Sequence, residues 1–222
     1  MPKVTEEYYE KKRQAIVDAA YRVCTRKPIT SVEMKDVIAE TGFSHGVVYR
    51  YYEDLDEVLR DLVVRINREN SISERLHSIV DGRDASLWET VIRETCDMLA
   101  DSLREVGTEV LKISLYCDML AMSDPERVKR IAGKIGKEES SPLLELLPVI
   151  GAYLTDAIQK KACTPEHSVE EILQFIIASY HGIQTGYVLS TCYDASQLQG
   201  KYDPGVMFSC LADSVIAMLR GD

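Results

Sequence analysis

The chain has 222 residues, is 45% apolar and carries a formal net charge of −10. That is enough apolar material to bury a core in one or two domains, and with only 12 Gly, 7 Pro and no sustained strand-like alternation an all-α protein is expected. No run of about 18 uncharged apolar residues occurs, and MPKVTEEYYEKKR at the N-terminus has no apolar core of a signal peptide, so a cytoplasmic chain without membrane partners is expected.

The first stretch, residues 1–8, reads as a frayed arm leading into a helix from about Glu6 to Arg26, with Ile16, Ala19, Ala20 and Val23 at core spacing. Lys11, Lys12 and Arg13 near its start are either a solvated face or an anchor for backbone phosphates; the pattern leaves both open. Pro28 ends the helix. Thr30-x-x-Glu33 has the form of a capping box for a second helix, on which Met34, Val37, Ile38 and Ala39 share a face. Gly42 permits a sharp reversal at positive φ, and Ser44 is a suitable N-cap for a third helix with Val47, Val48 and Tyr51 inward. Two helices of roughly eight residues make no core alone; such a pair aims its second helix outward, which predicts a helix-turn-helix over residues 34–53.

A reading helix needs short polar side chains for the major groove and flanking groups for phosphates. Ser44, His45, Val47 and Arg50 fall on an outward arc, and Gly46 allows close backbone approach. Arg50 suits a guanine edge or a phosphate, His45 a base acceptor and Val47 a thymine methyl group. Tyr52 reads as core.

Asp54-x-x-Glu57 predicts the cap of one long helix, Asp54 to Val80, passing through Val58, Leu62 and Ile66 and stopping at Asp81-Gly82. Ser86-x-x-Glu89 starts another to Val106, Gly107 breaks it, and Thr108–Met122 follows. Asp124-Pro125 is a helix start with proline in the first turn. Pro142 and Pro148 predict a kink or break near Ser140–Pro142 before a helix to about Ala162. Ser168-x-x-Glu171 opens a long apolar helix to about Thr191, and a loop with Gly200 and Asp203-Pro204-Gly205 leads to the last helix, about 205–220.

Charge and chemistry narrow the function. Residues 1–60 hold 10 Lys and Arg against 11 Asp and Glu, the remainder 16 against 25, so acidity concentrates away from the helix-turn-helix. The cysteines (Cys24, Cys96, Cys117, Cys163, Cys192 and Cys210) form no C-x-x-C pair and read as reduced thiols. Glu74-x-x-His77 has metal-pair spacing but no second such pair exists, so no metal is expected. Neither G-x-S-x-G, P-loop nor dinucleotide fingerprint occurs; no enzyme activity and no cofactor are expected.

Arg13, Ile16, Ala19, Ala20, Thr30-Ser31-Val32, Val37-Ile38-Ala39, Gly42-Phe43-Ser44, Gly46, Tyr49, Tyr51-Tyr52 and Leu59, in that order, resemble the TetR family of one-component transcriptional repressors. The resemblance covers residues 9–69 and implies a three-helix DNA-binding domain there, with a helical ligand-binding and dimerisation domain over 70–222 and about nine helices in all. It implies phosphate contacts from Tyr49 and Tyr51 and backbone contacts from Thr30 and Lys35. The loop after Pro28 is shorter than usual and lacks the family's common glycine. Where the family usually has lysine after Asp54, this chain has Leu55 among Glu53, Asp54, Asp56 and Glu57, which removes one phosphate contact and adds repulsion.

The family's last two long helices form a four-helix dimer interface, and two stripes here fit it. Ile172, Phe175, Ile176, Ser179, Gly182, Ile183, Gly186 and Tyr187 form one; Val206, Cys210, Leu211, Val215, Met218 and Leu219 form the other. Trp88, Met98, Tyr116, Met119, Tyr153, Tyr180 and Gln184 are candidates to line a pocket for an apolar or cationic small molecule. The expected function is therefore a homodimeric regulator, a repressor, that binds a palindromic operator in double-stranded DNA and is released by a small-molecule effector. The alternative is a helical small-molecule-binding or interaction protein whose DNA binding has weakened.

Overall fold

The computed structural model describes residues 6–133, 141–192 and 202–221. The elements among them are helical: α1 (Glu6–Arg26), α2 (Met34–Thr41), α3 (His45–Val48), α4 (Leu55–Glu69), α5 (Ser73–Val80), α6 (Trp88–Val106), α7 (Thr108–Ser123), α8 (Pro125–Ala132), α9 (Pro142–Gln159), α10 (Val169–Cys192) and α11 (Pro204–Arg220). Arm residues 1–5, Ser140 of the expected break and the loop around Gly200 lie outside the described residues. The chain divides into two compact units, one formed by 1–69 with 112–140, the other by 70–111 with 141–222.

The first unit is built on α1. Its spacing puts Ile16, Val17, Ala19, Ala20, Val23 and Cys24 on one buried stripe. Against it pack Ile29, Val32, Val37, Ile38, Val48, Tyr52, Val58, Leu59 and Leu62. Ala39 is exposed instead of joining that face. The same core takes in Ile113, Leu120 and Ile131, so α7 and α8 close a hydrophobic surface that the first 69 residues leave open. Burying each such aliphatic side chain contributes about 1.5–3 kcal/mol, so these three matter to a small unit.

Capping differs in detail from the sequence pattern. The cap of α2 is Glu33, whose backbone N–H donates to Asp36 Oδ2 at 2.8 Å. Thr30 lies one step earlier, in a 3₁₀ turn, Ile29–Ser31, that seats Ile29 in the core. Gly42 ends α2 at φ 66°, as expected. The long helix Asp54–Val80 is in fact two, α4 and α5, because Asn70-Ser71-Ile72-Ser73 offers side-chain competitors for the backbone. Ser71 Oγ accepts from the Ser73 N–H and donates to Glu145, while Ile72 turns into the core.

In the second unit α6 packs along α11, α10 covers α11 and α9, and α5 lies against α6 and α9. Asp84, not Ser86, caps the turn that enters α6, accepting from the Ser86 N–H at 2.9 Å. Asp124 caps α8, and Ser168 with Glu171 forms a capping box at the expected start of α10. Pro142 opens α9, which runs unbroken through Pro148. Pro148 and Leu144, whose carbonyl loses its helical donor, are both exposed, so water can replace the missing N–H. No described helix is long and apolar enough to cross a membrane.

Candidate nucleic-acid interface

The turn Gly42–Ser44 delivers the chain into α3 with Ser44 in extended conformation at its N-cap. Regular α-helix lasts only four residues, but i−3 and i−4 hydrogen bonds continue through Tyr52 and keep the segment helical in outline. Val48 is the buried anchor and Val47 is half-buried against the core. Ser44, His45, Gly46, Tyr49 and Arg50 are exposed. A Cβ at Gly46 would meet nothing within 4 Å, so the backbone there is open to a bound partner. His45 and Tyr49 stack, ring centroids 6.4 Å apart.

Tyr51 is buried, not outward, with its ring 4.7 Å from that of Tyr9 on α1. Tyr52 is buried as core, and its hydroxyl donates to Asp61 Oδ2 at 2.9 Å. Asp61 also accepts from Arg13, and from Arg60 at 3.0 and 3.1 Å. Arg13 in turn donates to the Tyr51 carbonyl at 3.2 Å and lies 4.5 Å over the Tyr52 ring. One carboxylate on α4 thereby fastens α1 and the exit of the segment that follows α3. Burial, with the Asp61 carboxylate beside it, pushes the Tyr52 phenol far above its ordinary range.

The acidic run after this segment is engaged internally. Asp54 accepts from the Glu57 N–H at 2.9 Å, and Glu57 accepts from the Glu53 N–H at 2.9 Å. Asp56 pairs with Arg127 of α8 at 2.7 Å and approaches Arg130 at 3.8 Å. Three of the four carboxylates are thus committed to helix capping and to holding α8. Of the two predicted backbone contacts, Thr30 is exposed, and Lys35 is exposed but paired with Glu33 at 2.7 Å. That hydrogen bond raises the Lys35 ammonium above its usual pKa.

No family model matches the sequence. It is 32% identical over 127 residues to the uncharacterized HTH-type transcriptional regulator YfiR of Bacillus subtilis, a match spanning 57% of this chain and 59% of that protein. Among solved structures, a TetR transcription regulator from Haloarcula marismortui superposes with a TM-score of 0.66 at 15% identity, covering 95% of this chain and 99% of that one. The fold is that of the TetR-family transcriptional regulators. The fatty acid degradation regulator FadR from Bacillus halodurans agrees, with a TM-score of 0.65 at 15% identity over 95% of this chain and 97% of that one. FadR from Bacillus subtilis, solved in complex with stearoyl-CoA, gives 0.60 at 17% over 92% and 97%. All four of these proteins are regulators by name, three of them of transcription.

Within this fold the pocket candidates divide between the units. Tyr116 packs on the core of the first unit and Met119 is exposed there. Trp88, Met98, Tyr153, Tyr180 and Gln184 belong to the second. Trp88 Nε1 donates to the Ala162 carbonyl at 3.0 Å and the Tyr153 hydroxyl to the Asp84 carbonyl at 2.9 Å, so both fasten their own unit. Met98 and Gln184 are buried, and Tyr180 packs on Phe208 with its phenol pushed up to about 12 by burial.

The interface candidates divide as well. Ile183 and Leu211 are buried within the chain, while Phe175, Gly182 and Cys210 are exposed; Ser179, Tyr187 and Met218 are half-buried. Gly186 is covered by its own chain, since a Cβ there would fall 2.7 Å from the Tyr202 ring, whose hydroxyl donates to the Ile183 carbonyl at 3.1 Å. Gly182 is open. Sequence spacing had no means of revealing Tyr202, which comes from a different element.

Proposed function

We propose that this chain is a TetR-type transcriptional regulator of the cytoplasm that acts as a homodimeric repressor on a palindromic operator and is released by a small molecule held in the second unit. The observation that carries the reading is the outward set Ser44, His45, Gly46, Tyr49 and Arg50, on a segment anchored by Val48, Tyr51 and Tyr52. Rigid support with exposed polar groups is what base readout requires. Tyr51 serves from beneath, through its packing on Tyr9, and Tyr49 is the ring available to a phosphate. Thr30 supplies a hydroxyl to the same DNA backbone, and Lys35 supplies its ammonium by leaving Glu33.

Dimerisation rests on α10 and α11. Phe175, Ala178, Gly182 and Leu189 on one and Val206, Cys210 and Ala217 on the other are exposed apolar or small side chains at helical spacing. A second copy would cover them, with Ser179, Tyr187 and Met218 at the margin. The effector site is proposed among Met98, Tyr180 and Gln184, where a buried amide and a phenol give an apolar ligand its orientation. Because B. subtilis FadR was solved with stearoyl-CoA, long-chain acyl-CoA thioesters are natural first probes.

Selection of bound duplexes from a random pool at low and moderate salt tests the reading. An enriched palindrome, lost or relaxed with Arg50→Ala, supports it; no enriched sequence at any salt turns it toward a small-molecule-binding protein.

A further inference from the structure

Nine cations lie between residues 6 and 60, and seven of them are already neutralised by a carboxylate of their own unit. Lys11 pairs with Glu7, Arg13 and Arg60 with Asp61, Arg22 and Arg26 with Glu40, Lys27 with Asp36 and Lys35 with Glu33. Among the described residues no carboxylate pairs with Lys12 or with Arg50. These two stand at opposite ends of the recognition segment. Arg50 follows α3, and the Lys12 ammonium lies 4.1 Å from the centroid of the Phe43 ring, the residue before Ser44, with the Tyr8 ring 5.6 Å away on its own helix.

Two aromatic faces hold a cation in place without cancelling its charge, because the ring quadrupole carries no net charge. An intramolecular carboxylate does cancel it, and must be displaced before a phosphate can bind. Placement of α1 is fixed at a second point as well, through Tyr9 on Tyr51 and Arg13 on the Tyr51 carbonyl.

We infer that Lys12 is a DNA-phosphate contact, supplied by α1 and positioned by Phe43 beside the start of the recognition segment, so that with Arg50 it brackets the reading surface. The inference rests on the proposed DNA-binding function and adds to it a contact outside the helix-turn-helix. Lys12 does not read bases; it contributes affinity and register.

The test measures affinity for the selected duplex across a salt series, for the wild-type chain, Lys12→Met, Lys12→Arg and Phe43→Leu. Lys12→Met keeps the aliphatic stem over the ring and removes only the charge. It is expected to make the slope of log affinity against log salt shallower by about 0.9 for each head engaged, with the selected sequence unchanged. Lys12→Arg restores the slope. Phe43→Leu retains the charge and the slope but weakens binding at every salt. A wild-type slope in Lys12→Met overturns the inference and leaves the regulator reading intact. Absence of duplex binding by the wild-type chain overturns both.

Discussion

Replacing Asp61 by Asn removes the one charge on which Arg13, Arg60 and the Tyr52 hydroxyl converge. The new amide keeps one acceptor oxygen but turns an NH₂ toward guanidinium groups that can only donate. Hydrogen bonds to charged groups contribute about 1.5–3 kcal/mol each, but they are not additive within one network. The Arg13 and Asp61 side chains each retain 24% of their exposure, so water recovers part of the loss. The expected cost is about 2–3 kcal/mol, above an exposed pair at about 0.2–1 and below a fully buried pair at about 3–5. That is a shift of roughly 30- to 150-fold in the folding equilibrium, since about 1.4 kcal/mol is one decade. Urea unfolding followed by far-UV circular dichroism measures it, and amide exchange should speed up selectively in α1, α4 and the turn at Tyr51-Tyr52. A loss below about 0.5 kcal/mol, as for a solvated surface pair, would refute the view that Asp61 organises the unit.

Arg127→Ala should release α8 from α4 by removing the partner of Asp56, whose side chain and that of Arg127 are mostly covered. About 1–2 kcal/mol of stability is expected to go with it, and amide exchange along α8 reports the loosening. Thiol labelling under native conditions should modify Cys192 rapidly, because it is exposed, Cys210 only to the extent that the proposed dimer leaves it uncovered, and the other four slowly. Burial pushes the Cys24 and Cys96 thiols up to about 12 and Cys117 to about 11, which withholds the reactive thiolate; unfolding in urea should equalise all six. Acid should weaken the α1–α2 contact. Hydrogen bonds from Lys27 and from Arg22 and Arg26 hold the Asp36 and Glu40 carboxyls below their ordinary values. Their folded-state pKa is depressed, so the stabilisation is complete above the ordinary carboxylate range and is lost as pH falls through the lowered values. Asp36→Asn with Glu40→Gln should flatten that acid limb in a pH series of urea midpoints.

Local chemistry determined what the sequence by itself made legible. Helical spacing marked Ile16, Ala19, Ala20 and Val23 as core, Gly42 as the reversal, and Asp124-Pro125 and Ser168-x-x-Glu171 as helix starts, because each depends on residues within one or two turns. Of the outward arc, the exposure of Ser44, His45 and Arg50 followed from the same local geometry, whereas Val47, placed on that arc too, is half-buried against the core. The break at residues 70–72 was missed because a continuous apolar stripe through Ile66 masked the competing serines. The sequence allows Tyr51 both an inward place and an outward phosphate contact, and only Tyr9, far away in the chain, decides that it is covered. Similarly, Glu53–Glu57 looked like a repulsive run until Arg127, more than 70 residues later, came to Asp56. Lys12 could not be distinguished from Lys11, its neighbour, since one meets Phe43 and the other Glu7. Tertiary structure alone decided these points, because whether a charge is spent or available depends on which distant side chain the fold brings beside it.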